Sequence, residues 1–353
     1  MHIMNAQIYG EDYVQLLKKA KEEGYALPAV NVVSNGTVNA ALEAAAQVGS
    51  DIILQISAGG AQFFAGKSVA DDFQAKVQGA VAFAEYSKRA AKLYGVRVVL
   101  HTDHANRSLV PWIEALIEEG EKYYEKYSEP LFSSHMLDLS EEPLEENVAT
   151  CKELLPKMTK IETAMEFELG LTGGEEDGVD NEGVENSKLY TQPEEVLYAY
   201  DELDGLGVFS IAAAFGNVHG VYKPGSVDLR PDILDNTQEL ITEKRGNGPK
   251  PVSFVFHGGS GSAKDKIKEA IGYGVFKMNI DTDTQFAFAK PVRDYIVENE
   301  YRMARQIGSQ DDPNAPNKKI IDPRKWLRLG EEGLRDRLVE AFEDLQSVGK
   351  KLA

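Results

Sequence analysis

Six histidines occur in 353 residues, and four of them stand at the ends of short apolar runs: His101 and His104 in "HTDH", His219 in "VHG" and His257 in "FHGG". Neutral imidazole binds divalent transition metals, and an Asp or Glu can add an oxygen ligand. His104, His219 and His257 are the best ligand set, three protein donors that leave a position open for a substrate. A lone histidine is more often a hydrogen-bonded core or loop residue, so the shared placement at run ends is what points to one site. The segment "MEFELGLTGGEEDGVD" adds two alternating acids, Glu166 and Glu168, able to face one site from a strand end. A glycine-rich turn with Glu175, Glu176 and Asp177 follows. An acid on such a loop can stay outside a metal shell, close over substrate and move a proton. The small residues of "FHGGSGS" and "NIDTD" expose backbone donors suited to phosphate.

These residues need elements that bring them together. Eight apolar or branched runs, at 27–33, 51–57, 96–103, 131–138, 161–168, 207–215, 251–258 and 275–281, read as buried parallel strands. Segments of helix-forming composition such as "TVNAALEAAAQVG" alternate with them. The pattern predicts an α/β fold, a TIM (β/α)8 barrel with additional terminal helices, whose catalytic residues collect where strands end. A doubly wound open sheet is the alternative, but no early glycine fingerprint follows a strand. One barrel domain over residues 1–353 is expected, with the C-terminal "DPRKWLRLGEEGLRDRLVEAFEDLQSVGKKLA" as a short helical extension.

Composition narrows the function class. With 38 basic and 57 acidic residues the net charge is -19, and no block of lysine or arginine offers a nucleic-acid backbone a footing. No apolar stretch approaches the roughly 18 residues of a spanning helix, and the N-terminal segment lacks the apolar core of a signal peptide. Neither nucleic acid nor membrane is an expected partner. A single cysteine, Cys151, excludes an intrachain disulfide framework and suits a reducing compartment, with the cytoplasm as the default. Cys151 has no histidine at a diagnostic spacing and is expected to pack. The sequons at Asn35 and Asn106 match a pattern common by chance, so glycosylation is not expected.

Taken together, "HTDH", "ELGLTGGEEDGVDN", "FGNVHGVYKPG", "FHGGSGS", "KMNIDTD" and "DPRKWLR" resemble, in order and over nearly the whole chain, the long subgroup of the zinc-dependent class II fructose-bisphosphate aldolases. The resemblance implies a carbon–carbon lyase that reversibly cleaves fructose 1,6-bisphosphate to dihydroxyacetone phosphate and glyceraldehyde 3-phosphate. It implies Zn2+ on His104, His219 and His257, joined by Glu168 in one metal position. It assigns Asp103 to the proton of the C4 hydroxyl, and Glu176 rather than Glu175 to proton exchange at the dihydroxyacetone phosphate carbon. Gly220, Gly258, Ser260, Asn279 and Thr282 are expected around one phosphate, and Asn31, Ser57 and Asp281 around the sugar hydroxyls or carbonyl. Arg324, with Lys318 nearby, is expected at the other phosphate across a homodimer interface, where guanidinium geometry suits the anion. A monovalent cation, K+ or Na+, on backbone oxygens near Gly173, Val218 and Gly258 is a secondary implication.

Asp138 is expected to support the metal site or its strand terminus rather than bind metal directly, and His101 and Glu166 fit similar supporting or alternate-metal roles. His135 is expected to be structural and His2 a terminal surface residue. No lysine nucleophile is required, and Lys223 in "YKPG" is expected to support the site. "ANRS" after "HTDH" departs from the family pattern at peripheral positions. Two other functions fit the same motifs: cleavage of tagatose 1,6-bisphosphate, which differs at C4, and metal-dependent sugar-phosphate binding without turnover.

Overall fold

The computed structural model describes residues 5–171, 175–176, 179–180, 189–218 and 228–352, with residues 175–176 and 179–180 placed by backbone alone. Eight parallel strands form a closed barrel: β1 (Leu27–Asn31), β2 (Ile52–Ile56), β3 (Val98–Thr102), β4 (Ser134–Leu137), β5 (Ala164–Leu169), β6 (Phe209–Ala213), β7 (Phe254–Phe256) and β8 (Val275–Ile280). Each lies on one of the apolar runs, as expected of strands buried on both faces. Neighbours in sequence are neighbours in space, and β1 closes the ring on β8 with Leu27 opposite Lys277 and Ala29 opposite Asn279. Between β7 and β8 the register shifts: Val275 faces Phe254, but Lys277 faces Val255.

The crossovers form the outer layer. Helix α1 (Gly10–Glu23) precedes β1 and packs on the floor; the crossovers are α2 (Asn35–Val48), α3 (Ala58–Ala65), α4 (Asp72–Tyr94), α5 (Val110–Tyr127), α6 (Leu144–Thr159), α7 (Pro193–Leu203), α8 (Asp232–Arg245) and α9 (Lys264–Gly272), and α10 (Thr282–Glu298) follows β8. Local chemistry sets their ends. Ser34 and Thr37 form a reciprocal capping box at the start of α2, and Gly49 ends that helix in the left-handed region at φ 66°. Two short helices, α11 (Glu300–Met303) and α12 (Lys318–Ile321), lead to the long α13 (Pro323–Asp344). Among the described residues no helix is long and apolar enough to cross a membrane.

The floor of the barrel, at the N-terminal ends of the strands, is apolar. Ile8, Leu16 and Tyr13 of the N-terminal region meet Ala29, Ile53, Val99, Val255 and Phe276 there. Tyr13 and Phe276 stack edge to face with ring centroids 6.3 Å apart, and burying a ring of this kind stabilises by about 1.5–3 kcal/mol. The C-terminal segment is more than an appended extension. Leu352 packs into this floor cluster and its N–H donates to Asp51 at 2.7 Å, while the N–H of Ala26 donates to the Leu345 carbonyl at 3.0 Å.

Helix α13 is fastened to the outer layer by charge as well as by apolar contact. Arg328 donates from both terminal nitrogens to Glu43 of α2, at 2.8 and 2.9 Å, and Arg335 adds a third bond at 2.9 Å. The bonds from Arg328, reinforced by Arg335 against a smaller opposing effect of burial, hold the Glu43 carboxyl down at about 2, against an ordinary 4.5. A carboxyl whose value is lower in the folded chain contributes stability that is complete above its unfolded value and is lost as pH falls towards its folded one. Thermal denaturation of the native chain and of Glu43→Gln is therefore expected to show a melting-temperature gap at pH 6–7 that narrows steadily as pH drops from about 4.5 towards 2. A gap of constant size across that range would remove Glu43 as the titrating contact.

Candidate active site and metal centre

The C-terminal ends of the strands form the opposite, polar rim. Here the chain leaves β3 through Asp103 and His104, leaves β7 at His257, and carries Glu166 and Glu168 on one face of β5. One ligand atom from each of His104, Glu168 and His257 lies within 4.8 Å of the others. Nε2 of His104 and Nδ1 of His257 are 3.0 Å apart, and Glu168 Oε2 lies 3.5 Å from His257 Nδ1. The far nitrogen of each ring is held by a carboxylate: His104 Nδ1 by Asp138 at 2.9 Å, His257 Nε2 by Glu166 at 2.8 Å. A carboxylate can only accept, so it assigns the proton to the nitrogen it faces. Both near nitrogens then present lone pairs to each other, and converging lone pairs beside a carboxylate are the donor arrangement a divalent transition metal fits.

Backbone and burial tune these groups. His104 takes φ 24°, a region L-residues rarely adopt, at a cost on the order of 1–3 kcal/mol. Burial lowers the pKa of His257, which favours the neutral ring that ligation needs. Burial alone would raise the Asp138 carboxyl, yet the hydrogen bond and charge of His104 bring it to about 2. Glu166 is fully buried and lies below the usual carboxylate range, because the Lys277 ammonium and the neighbouring histidines outweigh desolvation. Lys277 contacts both Glu166 oxygens, at 2.8 and 2.7 Å. His101 joins from β3, its Nε2 3.5 Å from Glu166 and its Nδ1 2.7 Å from the Ser134 hydroxyl.

Asp103 sits beside this cluster and is held across the barrel seam. Asn31 of β1 donates to its Oδ2 at 2.8 Å and Asn279 of β8 to its Oδ1 at 3.2 Å, while Gln55 fixes the Asn31 amide at 2.5 Å. Asn31 also lines a cavity of about 280 Å³ with Ser57, Gly60, Phe63, Asp281 and Gln285. The structure thus brings Asn31, Ser57 and Asp281 to one space adjoining Asp103. After β7 the chain turns sharply: Gly258 has φ 61°, and a Cβ on Gly259 would meet Met278 at 2.6 Å. Ser260 is buried in this turn and accepts from the Asp283 N–H at 3.5 Å, next to Thr282, which opens α10.

Other expected residues are placed differently. Arg324 is exposed at the start of α13 and pairs with Asp322 at 2.7 Å, and Lys318 is exposed on α12. Glu176 belongs to a two-residue ladder opposite Val179. Val218 is partly buried, whereas His219, Gly220, Lys223, Gly173, Asp177 and His2 lie outside the described residues. His135 is structural, buried against Phe132 and bonded to Thr102, and burial holds its ring at about 3. Cys151 is buried and packed on α6. Sequence reasoning missed Lys277, whose signal is a lysine inside the apolar run "VFKMNI". It also missed Asn217, buried two residues before His219, which donates to the His257 carbonyl at 3.0 Å and accepts from the Phe215 N–H at 2.8 Å.

Comparison with known proteins agrees with this geometry. Residues 11–350 match the family model described as fructose-bisphosphate aldolase class-II. A fructose-bisphosphate aldolase of Campylobacter jejuni is 54% identical over 345 residues, covering 97% of each chain, and one of Haemophilus influenzae is 52% identical over 344. The Escherichia coli fructose-bisphosphate aldolase class 2 is 49% identical, again over 97% of this chain. The crystal structure of the fructose-bisphosphate aldolase from Campylobacter jejuni superposes with a TM-score of 0.89 over 99% of this chain and 98% of that one. The YdjI aldolase of Escherichia coli, at 21% identity and a TM-score of 0.65, shares the fold. With its eight-stranded barrel, its rim of histidines and acids, and this full-length similarity, the chain belongs to the class II fructose-bisphosphate aldolase family.

Proposed function

We propose that this chain catalyses the reversible cleavage of fructose 1,6-bisphosphate to dihydroxyacetone phosphate and glyceraldehyde 3-phosphate, with Zn2+ on His104, His219 and His257, joined by Glu168 in one metal position. One observation carries the reading: the carboxylate-backed pair His104 and His257 shares a rim with an oriented carboxylate, Asp103. Zn2+ held there would supply positive charge against the negative oxygen that develops as the carbon–carbon bond breaks.

The chain's own residues do the rest. Asp103, aimed by Asn31 and Asn279, takes the proton of the C4 hydroxyl as the carbon–carbon bond breaks and returns it in condensation. Asn279 supports a substrate contact further, since its Oδ1 is buried without a hydrogen-bond partner among the described residues. Glu176 exchanges the proton at the dihydroxyacetone phosphate carbon. Backbone N–H groups around Gly220 and Gly258, with Ser260, Asn279 and Thr282, hold one phosphate, while Asn31, Ser57 and Asp281 orient the sugar. A K+ or Na+ ion on backbone oxygens near Gly173, Val218 and Gly258 completes that pocket. In a homodimer, Arg324 and Lys318 from a second copy reach the other phosphate, and the Arg324–Asp322 pair is exposed enough to open at little cost.

Purified protein is expected to release triose phosphates from fructose 1,6-bisphosphate, to stop after chelation, and to recover with added Zn2+. Turnover that survives complete chelation, or much faster cleavage of tagatose 1,6-bisphosphate, would overturn the proposal. Asp103→Asn is expected to lower kcat by roughly 10²–10⁴-fold with KM little altered; a loss confined to KM would instead make Asp103 a binding group. Arg324→Ala should raise KM for the bisphosphate while leaving proton exchange on dihydroxyacetone phosphate alone intact. An unchanged KM would remove Arg324 from the site.

A further inference from the structure

Lys277 is a charged side chain in the middle of an apolar strand, 1% exposed, and its direction is unusual. Along β8, Val275 packs with the outer layer, and Phe276 belongs to the floor inside the barrel. Strict alternation would then send Lys277 outward. The register shift prevents this, because two steps along β8, from Val275 to Lys277, match one step along β7, from Phe254 to Val255. Such a bulge resets the phase of the strand and re-aims the next side chain. Phe276 therefore plugs the floor, and Lys277 follows it into the interior to meet Glu166.

We infer that Lys277, delivered inward by this bulge, is a positioning residue of the metal centre: it anchors Glu166, and Glu166 orients His257 towards the metal. The inference rests on the metal-centre reading above. The two bonds to Lys277 leave the Glu166 carboxylate one orientation, in which Oε1 also accepts from His257 Nε2. That bond fixes both the tautomer and the plane of the His257 ring, so Nδ1 points at His104. Carboxylates behind ligating histidines act in this way on the ligand's basicity and direction. Without the ammonium, Glu166 is a buried charge among imidazoles alone, free to turn away from His257. Lys277 is 1% exposed and its two hydrogen bonds run to Glu166, so its part is played through His257.

The test uses the full-length chain stripped of metal and compares it with Lys277→Met and with Lys277→Met/Glu166→Gln. The double variant removes both buried charges, so it is expected to regain any thermal stability lost by the single variant. Zn2+ affinity, measured by competition with a chromophoric chelator, is expected to fall roughly 10–100-fold in both, and the visible spectrum of the Co2+-loaded proteins is expected to change in both. Wild-type affinity and an unaltered Co2+ spectrum in either folded variant would overturn the inference and leave Lys277 a purely structural charge. A wild-type chain that binds neither Zn2+ nor Co2+ would instead overturn the metal-centre reading, and this inference with it.

Discussion

Three carboxylates, Asp103, Glu166 and Glu168, are buried at the rim of one barrel, with Asp138 at its edge. Withdrawing an ion from water costs several kcal/mol even after the protein relaxes, so the rim can exist only where each charge meets a partner. The partners differ, and the differences divide the chemistry. Two amides hold Asp103, which directs a carboxylate without neutralising it. An ammonium holds Glu166, which makes it a fixed acceptor for an imidazole. Asp138 is shared between His104 and the Ser140 hydroxyl, and Glu168 lies 3.6 Å from His104 Nδ1 and 3.5 Å from His257 Nδ1.

This arrangement accounts for how a chain of net charge -19 can accommodate a phosphorylated sugar. The acids are turned towards imidazole, amide and ammonium partners, and backbone N–H groups, proposed above to hold phosphate at the turn after β7, attract an anion without adding a side-chain charge. The floor has a different task. It is built from aromatic and aliphatic side chains, with the N-terminal helix and the last residues of the chain sealed against it.

Much of this was legible in the chain itself, for identifiable reasons. Parallel strands buried on both faces read as unbroken apolar runs, so all eight strands and the strand-end placement of His104 and His257 could be found without coordinates. Lys277 stands out as a lysine in an apolar run, but its inward direction could not be read, because it depends on a bulge that no residue type announces. Asn217 and Gln55 were equally silent, since an amide has meaning only through what it touches. The docking of Leu352 on the floor was hidden too, because its partners are hundreds of residues away in sequence.

The seam of the barrel carries a consequence for folding. β1 ends at Asn31 and β8 begins at Val275, and their pairing is the contact of longest reach in the sheet, the one with the largest loop-closure entropy. Asn31 and Asn279 stand on either side of that seam and grip Asp103 between them. With that seam open, Asn31 and Asn279 stand on opposite edges of an eight-stranded sheet and cannot both hold this carboxylate. Closing the ring and aiming Asp103 are therefore one event.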